Sequence, residues 1–225
     1  MIQVNGLSNA DNIKEIKKLG VDTIGFDFRL DSERLVKMMP SRAGIIPDYS
    51  QERARRMARR EVAEAPEDAE QCLYAGVFAD DMPQSIVTRI YNYNLTYVCL
   101  YGDEEPVMIE NLRRTVVPDI CSNIEIVKFR RISSADDIAS LSVFDGIADG
   151  LMLSFAPETI AGNVMSLYRC SLPFVVVYND GDDAEAVKSL LAHDRCRGIC
   201  VENAFETSVG VKDVELLRRF IDEIK

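Results

Sequence analysis

The stretch Gly198-Ile-Cys-Val-Glu-Asn-Ala-Phe-Glu-Thr-Ser-Val-Gly-Val-Lys-Asp213, with the segment from Val214 to Lys225 that follows it, decides the fold. Residues 198–201 form a short, β-rich apolar run. After a polar loop, Val214, Leu217, Phe220, Ile221 and Ile224 recur at spacings of three and four, which places them on one face of a helix. A strand, a loop and an amphipathic helix cannot bury their apolar faces alone, so the rest of the chain must supply matching units.

It does so in order. Apolar runs at 2–4, 23–28, 74–79, 97–100, 125–129, 150–153 and 174–177 precede the one at 198–201, giving eight candidate strands. Helical stripes lie between them, as at Ile13, Ile16 and Leu19 and at Val187, Leu190 and Leu191. Ser8 and Asn9, and again Ser133 and Ser134, stand just before acidic first turns and are helix-start signals. Alternation of this kind is the pattern of a parallel sheet covered by helices. With 225 residues and 47% hydrophobic content, the chain reads as one α/β domain over 1–225, a closed (β/α)8 TIM barrel.

One segment breaks the rhythm. About 35–72, between the second and third strands, the chain carries Gln51-Glu-Arg-Ala-Arg-Arg-Met-Ala-Arg-Arg60 and then the acidic Glu61-Val-Ala-Glu-Ala-Pro-Glu-Asp-Ala-Glu70. This reads as an extended helical segment whose Arg and Glu side chains pair locally in solvent, with a partner-binding surface as the alternative.

Lys and Arg number 26 against 37 Asp and Glu, a net charge of −11, which argues against non-specific binding to nucleic acid or an anionic membrane. A phosphorylated ligand stays compatible, because backbone amides and helix N-termini supply local positive potential. No run approaches the ~18 apolar residues of a membrane span, and neither end has a signal-peptide pattern, so a soluble cytoplasmic protein is expected. The six cysteines are scattered, several in apolar runs, and read as reduced structural thiols. His193 is the only histidine. With Cys196 and Cys200 it suggests a zinc site on paper, but a fourth ligand is missing, so neither metal nor cofactor is expected.

Taken strand by strand, the chain resembles the phosphoribosylanthranilate isomerase family. Gln3-Val-Asn-Gly-Leu-Ser8 stands where the family has Lys-x-Cys-Gly-Leu-Thr, and Gly25-Phe-Asp-Phe28 followed by Ser32-Glu-Arg34 matches Gly-Phe-x-Phe and Ser-Pro-Arg. Gly76-Val-Phe78 and Val98-Cys-Leu-Tyr-Gly-Asp-Glu104 match Gly-Val-Phe and Val-Gln-Leu-His-Gly-x-Glu. Ile126-Val-Lys-Phe-Arg130 follows Val-Ile-Lys-Ala. Asp149-Gly-Leu-Met-Leu-Ser-Phe155 aligns with a strand ending Leu-Phe-Asp-Thr, and Gly162 alone persists near the glycine turn that follows. Val176-Val-Tyr-Asn-Asp180 replaces Leu-Ala-Gly-Gly-Leu. In the final unit Glu202, Asn203 and Ala204 take the Ser-Ser-Gly positions, whereas Glu206, Gly210, Lys212 and Asp213 are kept.

The resemblance implies an Amadori aldose-ketose isomerisation in tryptophan biosynthesis, with a cysteine base after strand one and an aspartic acid after strand six. Here those positions are Asn5 and Ser154. It also implies substrate contacts at Arg34, Tyr101 and Lys128, and a phosphate site around Gly162, Tyr178, Asn179, Asn203 and Ala204. An amide has no basic lone pair near neutral pH, and a serine hydroxyl is a very weak acid. Side chains at the former glycine positions and the carboxylate of Glu202 would oppose a phosphate dianion. The expectation is a barrel with a small-molecule ligand at its C-terminal mouth and native activity impaired or lost, a non-catalytic relative. The alternative is an active isomerase with a rearranged site in which Asp27, Asp180 or Glu202 supplies the proton-transfer group.

Overall fold

The computed structural model describes residues 1–37, 72–117, 119–157, 159 and 164–224. The basic helix expected at 51–60, most of the 35–72 segment and Gly162 lie outside the described residues. Eight parallel strands close into a barrel in chain order: β1 (Ile2–Val4), β2 (Thr23–Asp27), β3 (Leu73–Phe78), β4 (Tyr97–Leu100), β5 (Glu125–Ile132), β6 (Gly150–Phe155), β7 (Phe174–Tyr178) and β8 (Cys196–Val201). Closure is made by β1 against β8, with Ile2 opposite Ile199 and Val4 opposite Val201.

Helices α1 (Ala10–Lys17), α2 (Pro83–Tyr93), α3 (Pro106–Val116), α4 (Ala135–Ser140), α5 (Ala184–Leu191) and α6 (Val214–Ile224) cover the outside. Their starts follow from local chemistry. Asn9 accepts from the amides of Asp11 and Asn12, Ser134 and Asp137 form a reciprocal capping box, and Asp183 caps α5. Pro83 and Pro106 open α2 and α3, where a missing N–H costs nothing. After β6, Pro157 and Thr159 are helical, and a 3-10 turn follows at Val164–Leu167.

Strand residues alternate between two cores. Ile24, Phe26, Val98, Leu100, Ile126, Leu151, Leu153 and Val176 pack outward against the helices. Ala75, Val77, Cys99, Met152, Val175, Val177 and Cys200 fill the barrel interior, and Tyr97, Tyr101, Val127 and Phe129 pack against them. Cys99 and Cys200 are fully buried there, and burial pushes the Cys99 thiol up to about 12. The three groups of the paper zinc site are not assembled: Cys200 lies inside the barrel, while His193 packs outside it on the rings of Tyr168 and Phe174.

After β8 a short hairpin, β9 (Glu206–Ser208) and β10 (Val211–Lys212), precedes α6. Asn12 of α1 grips it from both sides, donating from Nδ2 to the Lys212 carbonyl at 2.8 Å and accepting the Lys212 amide at 2.9 Å. The first and last units of the barrel are thereby joined beyond the β1–β8 pairing. No helix among the described residues is long and apolar enough to cross a membrane.

Candidate active site

The C-terminal ends of β1, β2, β4 and β8 bring Asn5, Asp27, Tyr101 and Glu202 to one side of the barrel mouth. Asn5 is fully buried; its Oδ1 accepts from Gln3 Nε2 at 2.7 Å and its Nδ2 donates to Glu202 Oε2 at 2.9 Å. The space for this amide exists because β2 has a glycine opposite. A Cβ on Gly25 would lie 1.9 Å from Asn5 Oδ1. The Tyr101 hydroxyl donates to the same Glu202 oxygen at 3.3 Å, and its ring is stacked on Phe129 with centroids 4.2 Å apart.

Asp27 has a different environment. Arg29 donates to it from Nε at 2.9 Å and from Nη2 at 2.6 Å, and the Ser32 hydroxyl donates at 2.7 Å. Burial alone would raise its pKa, but these hydrogen bonds and the Arg29 charge outweigh it and hold the carboxyl below the usual range. Glu202, with its side chain 15% exposed, is shifted the other way. Burial raises its pKa, and the Asn5 amide and the Arg29 guanidinium, whose Nη2 is 3.8 Å away, offset that only in part. One mouth thus holds a fixed anion and a carboxyl disposed to hold a proton.

Arg29 was not singled out from the sequence, yet it spans both carboxylates and lies 5.0 Å over the Tyr101 ring. The available signal was its position two residues beyond Asp27 at a strand end, where side chains return to the same face. Gln3 was also missed, because a single amide in a three-residue strand carries no recognisable motif.

Other expected residues go elsewhere. Arg34 makes a two-bond ion pair with Glu206, at 2.7 and 2.6 Å, beside the buried Lys212. Lys128 does not enter the mouth. It lies on the outward face of β5, fully buried, and donates to Glu104 Oε2 at 2.6 Å and to the Gly102 carbonyl. Tyr178 also points outward, stacking on Phe220 at 4.5 Å and Phe205 at 5.9 Å. The reason is the same for both: strand side chains alternate, and these residues have the opposite parity to the inward-facing Val127 and Val177.

Ser154 stands at the end of β6, where its Oγ receives Asn179 Nδ2 at 3.4 Å. The Asn179 amide donates to Asp182 Oδ2 at 2.6 Å, and the Asp180 amide to Asn203 Oδ1 at 2.9 Å. Asp180 itself is exposed at the loop tip, and Ala204 is buried. Between β8 and β9 the backbone makes a turn and no helix, with Phe205 at φ 61°. Lys212 Nζ collects the carbonyls of Glu202 and Ala204 from inside this turn. The amides of Asn179 and Asp180 after β7 are therefore already engaged by side-chain oxygens. The groove beside them, about 430 Å³, is lined by Arg34 together with Asp180, Glu206 and Asp213.

Residues 29–223 match the family model described as N-(5'phosphoribosyl)anthranilate (PRA) isomerase. The chain is 23% identical to the N-(5'-phosphoribosyl)anthranilate isomerase of Phocaeicola vulgatus, covering 100% of this chain and 98% of that one. To the protein of that name from Parabacteroides distasonis it is 24% identical, covering 100% and 93%. Among solved structures, phosphoribosyl anthranilate isomerase from Thermotoga maritima superposes with a TM-score of 0.70 at 21% identity, covering 99% of this chain and 97% of that one. That superposition reports the fold, and the family match over most of the barrel reports descent: this chain belongs to the N-(5'-phosphoribosyl)anthranilate isomerase family.

Proposed function

We propose that the barrel keeps the family's scaffold and binds a small molecule at its C-terminal mouth without performing the family's rearrangement. At the coarser level, membership supports a PRA isomerase role in tryptophan biosynthesis. The finer reading rests on one observation: both polar atoms of the Asn5 amide are engaged, one by Gln3 and one by Glu202, at the position the resemblance assigns to the base. Opening the sugar ring requires an acid at the ring oxygen, and forming the enol requires a base at C2. Asn5 and Ser154 offer neither, and each such group is typically worth ~10²–10⁴-fold in rate. The engaged amides after β7 support the same reading for the phosphate.

A second reading is favoured by the raised pKa of Glu202, which could accept a proton and return it. Of the three carboxylates considered from the sequence it is the one suited to this. Asp27 is held as an anion by Arg29, and Asp180 is exposed on its loop. The test is complementation of a strain lacking the isomerase, with turnover of phosphoribosylanthranilate by the purified protein. The binding-module reading expects no rescue from soluble, folded protein. Rescue at ordinary expression overturns it, and if Glu202→Gln then lowers kcat by about 10²-fold or more, the role passes to Glu202.

A further inference from the structure

Strand β5 carries a cation to the mouth that nothing in the described chain neutralises. Along the β5–β6 pairing, Val127 stands opposite Gly150, Phe129 opposite Met152 and Arg131 opposite Ser154. Val127, Phe129 and Met152 face the barrel interior, so the next pair in the row, Arg131 and Ser154, lies on that same face at the strand ends. Arg130 has the opposite parity, and its guanidinium lies 5.2 Å over the Phe144 ring.

The other arginines of the mouth are spent, Arg29 on Asp27 and Arg34 on Glu206. Arg131 is exposed and makes neither an ion pair nor a hydrogen bond with any described residue. Beside it Ser154 is 5% exposed. Its Oγ receives Asn179 Nδ2, but its own proton is donated to no described acceptor. Neighbouring strands are about 4.8 Å apart, a gap that one carboxylate spans with an oxygen to each donor.

Arg131 opens on a groove of about 340 Å³, which also meets the rings of Tyr101 and Phe129, stacked at 4.2 Å. Asp103, Asp137 and Ser140 line it too. Asp137 is committed to the amides of Ser133 and Ser134, Ser140 donates to the Asp137 carbonyl, and Asp103 is exposed with no ion pair to either arginine. With Arg130 and Arg131 set against two aspartates, the groove is balanced in charge, which suits a monoanion better than a phosphate dianion.

We propose that the β5–β6 edge of the mouth holds a small monocarboxylate with an apolar body, its carboxylate on Arg131 and the Ser154 hydroxyl and its body against Tyr101 and Phe129. The inference rests on the reading of the mouth as a ligand site and names the class of ligand.

The experiment titrates the intact protein with phenylacetate, with the neutral phenylacetamide and with inorganic phosphate at constant ionic strength. The aromatic resonances of Tyr101 and Phe129 and the Arg131 Nε–H are followed by NMR. Phenylacetate is expected to shift all three with a dissociation constant of ~1–10 mM, and phenylacetamide to bind about 5-fold more weakly. Arg131→Gln should remove that preference, whereas Arg130→Gln should keep it. Phosphate binding as tight as phenylacetate overturns the assignment to a monocarboxylate. No shift at Arg131, equal affinity for acid and amide, or a preference that survives Arg131→Gln overturns the site, as does a response confined to Arg34 and Phe205. The titration involves no turnover, so rescue of the isomerase-deficient strain would overturn the non-catalytic reading while leaving this result to stand or fall alone.

Discussion

At the scale of single residues, the mouth sets two carboxyl groups against each other. Asp27 is pulled below the ordinary carboxylate range because its hydrogen bonds to Arg29 and Ser32 exceed the cost of burial. Burial raises Glu202, and the Asn5 amide, the Tyr101 hydroxyl, a long contact from the Cys200 thiol and a more distant guanidinium do not offset it. The consequences for stability have opposite signs. Asp27 contributes stability that is present above its unfolded pKa and lost as pH falls through the depressed folded value. Glu202, raised in the folded state, contributes stability below its unfolded pKa that is lost as pH rises through the folded value. At neutral pH its charge is therefore a cost. Glu202→Gln keeps the shape and an acceptor for Asn5, so its melting temperature relative to the unaltered protein should be higher at pH 7.5 than at pH 4. For a chain of this length, each ~1 kcal/mol gained appears as about 2–4 °C. Thermal unfolding at the two pH values checks this, and a difference that grows on acidification would show that Glu202 is stabilised as the anion.

At the scale of elements, β5 shows how a strand can be recognised while its facing is misread. The eight strands were legible in order because strands of a closed parallel barrel are buried on both faces and so appear as short apolar runs. Their ends were not. The sequence places the fifth strand at 125–129, whereas β5 continues to Ile132, its arginines staying half out in solvent while the backbone pairs with β6. Nor does an apolar run reveal which alternate residues point inward, and a one-residue error exchanges the faces. Asn5, Asp27, Tyr101 and Glu202 were legible as strand-end positions, but Lys128 and Tyr178 were assigned to the mouth and in fact pack outside the barrel. Lys128 instead ties the loop after β4 to β5, in an ion pair with Glu104 that is almost wholly out of solvent. Removing one member of such a pair leaves an unpaired buried charge. Lys128→Met should cost about 3–5 kcal/mol in urea unfolding, and the double variant Lys128→Met with Glu104→Gln should recover most of that. Equal losses in the single and double variants would mean that the ammonium acts through the Gly102 carbonyl rather than through the ion pair.

At the scale of the whole molecule, charge is sorted by depth. Cations in the interior are paired at short range, with Arg29 on Asp27, Arg34 on Glu206, Lys128 on Glu104, and Lys212 among Glu206 and the loop carbonyls. The surface carries the excess of acid that makes the net charge −11. These two populations respond differently to salt. Repulsion among exposed carboxylates acts over several ångströms of solvent and weakens as the Debye length shortens, from ~20 Å at ~0.02 M to ~6 Å at ~0.3 M. Pairs closed at 2.6 Å and largely removed from water are screened much less. Because compact folding concentrates the excess negative charge, relief of repulsion should dominate. The melting temperature is therefore expected to rise by a few degrees, about 2–4 °C for each ~1 kcal/mol, between ~0.02 and ~0.3 M NaCl. KCl should give the same rise, since screening depends on ionic strength and not on the identity of the cation. A fall would place the stabilising weight on pairs that solvent reaches, and a rise with only one of the two salts would indicate a cation held at a specific site in place of general screening.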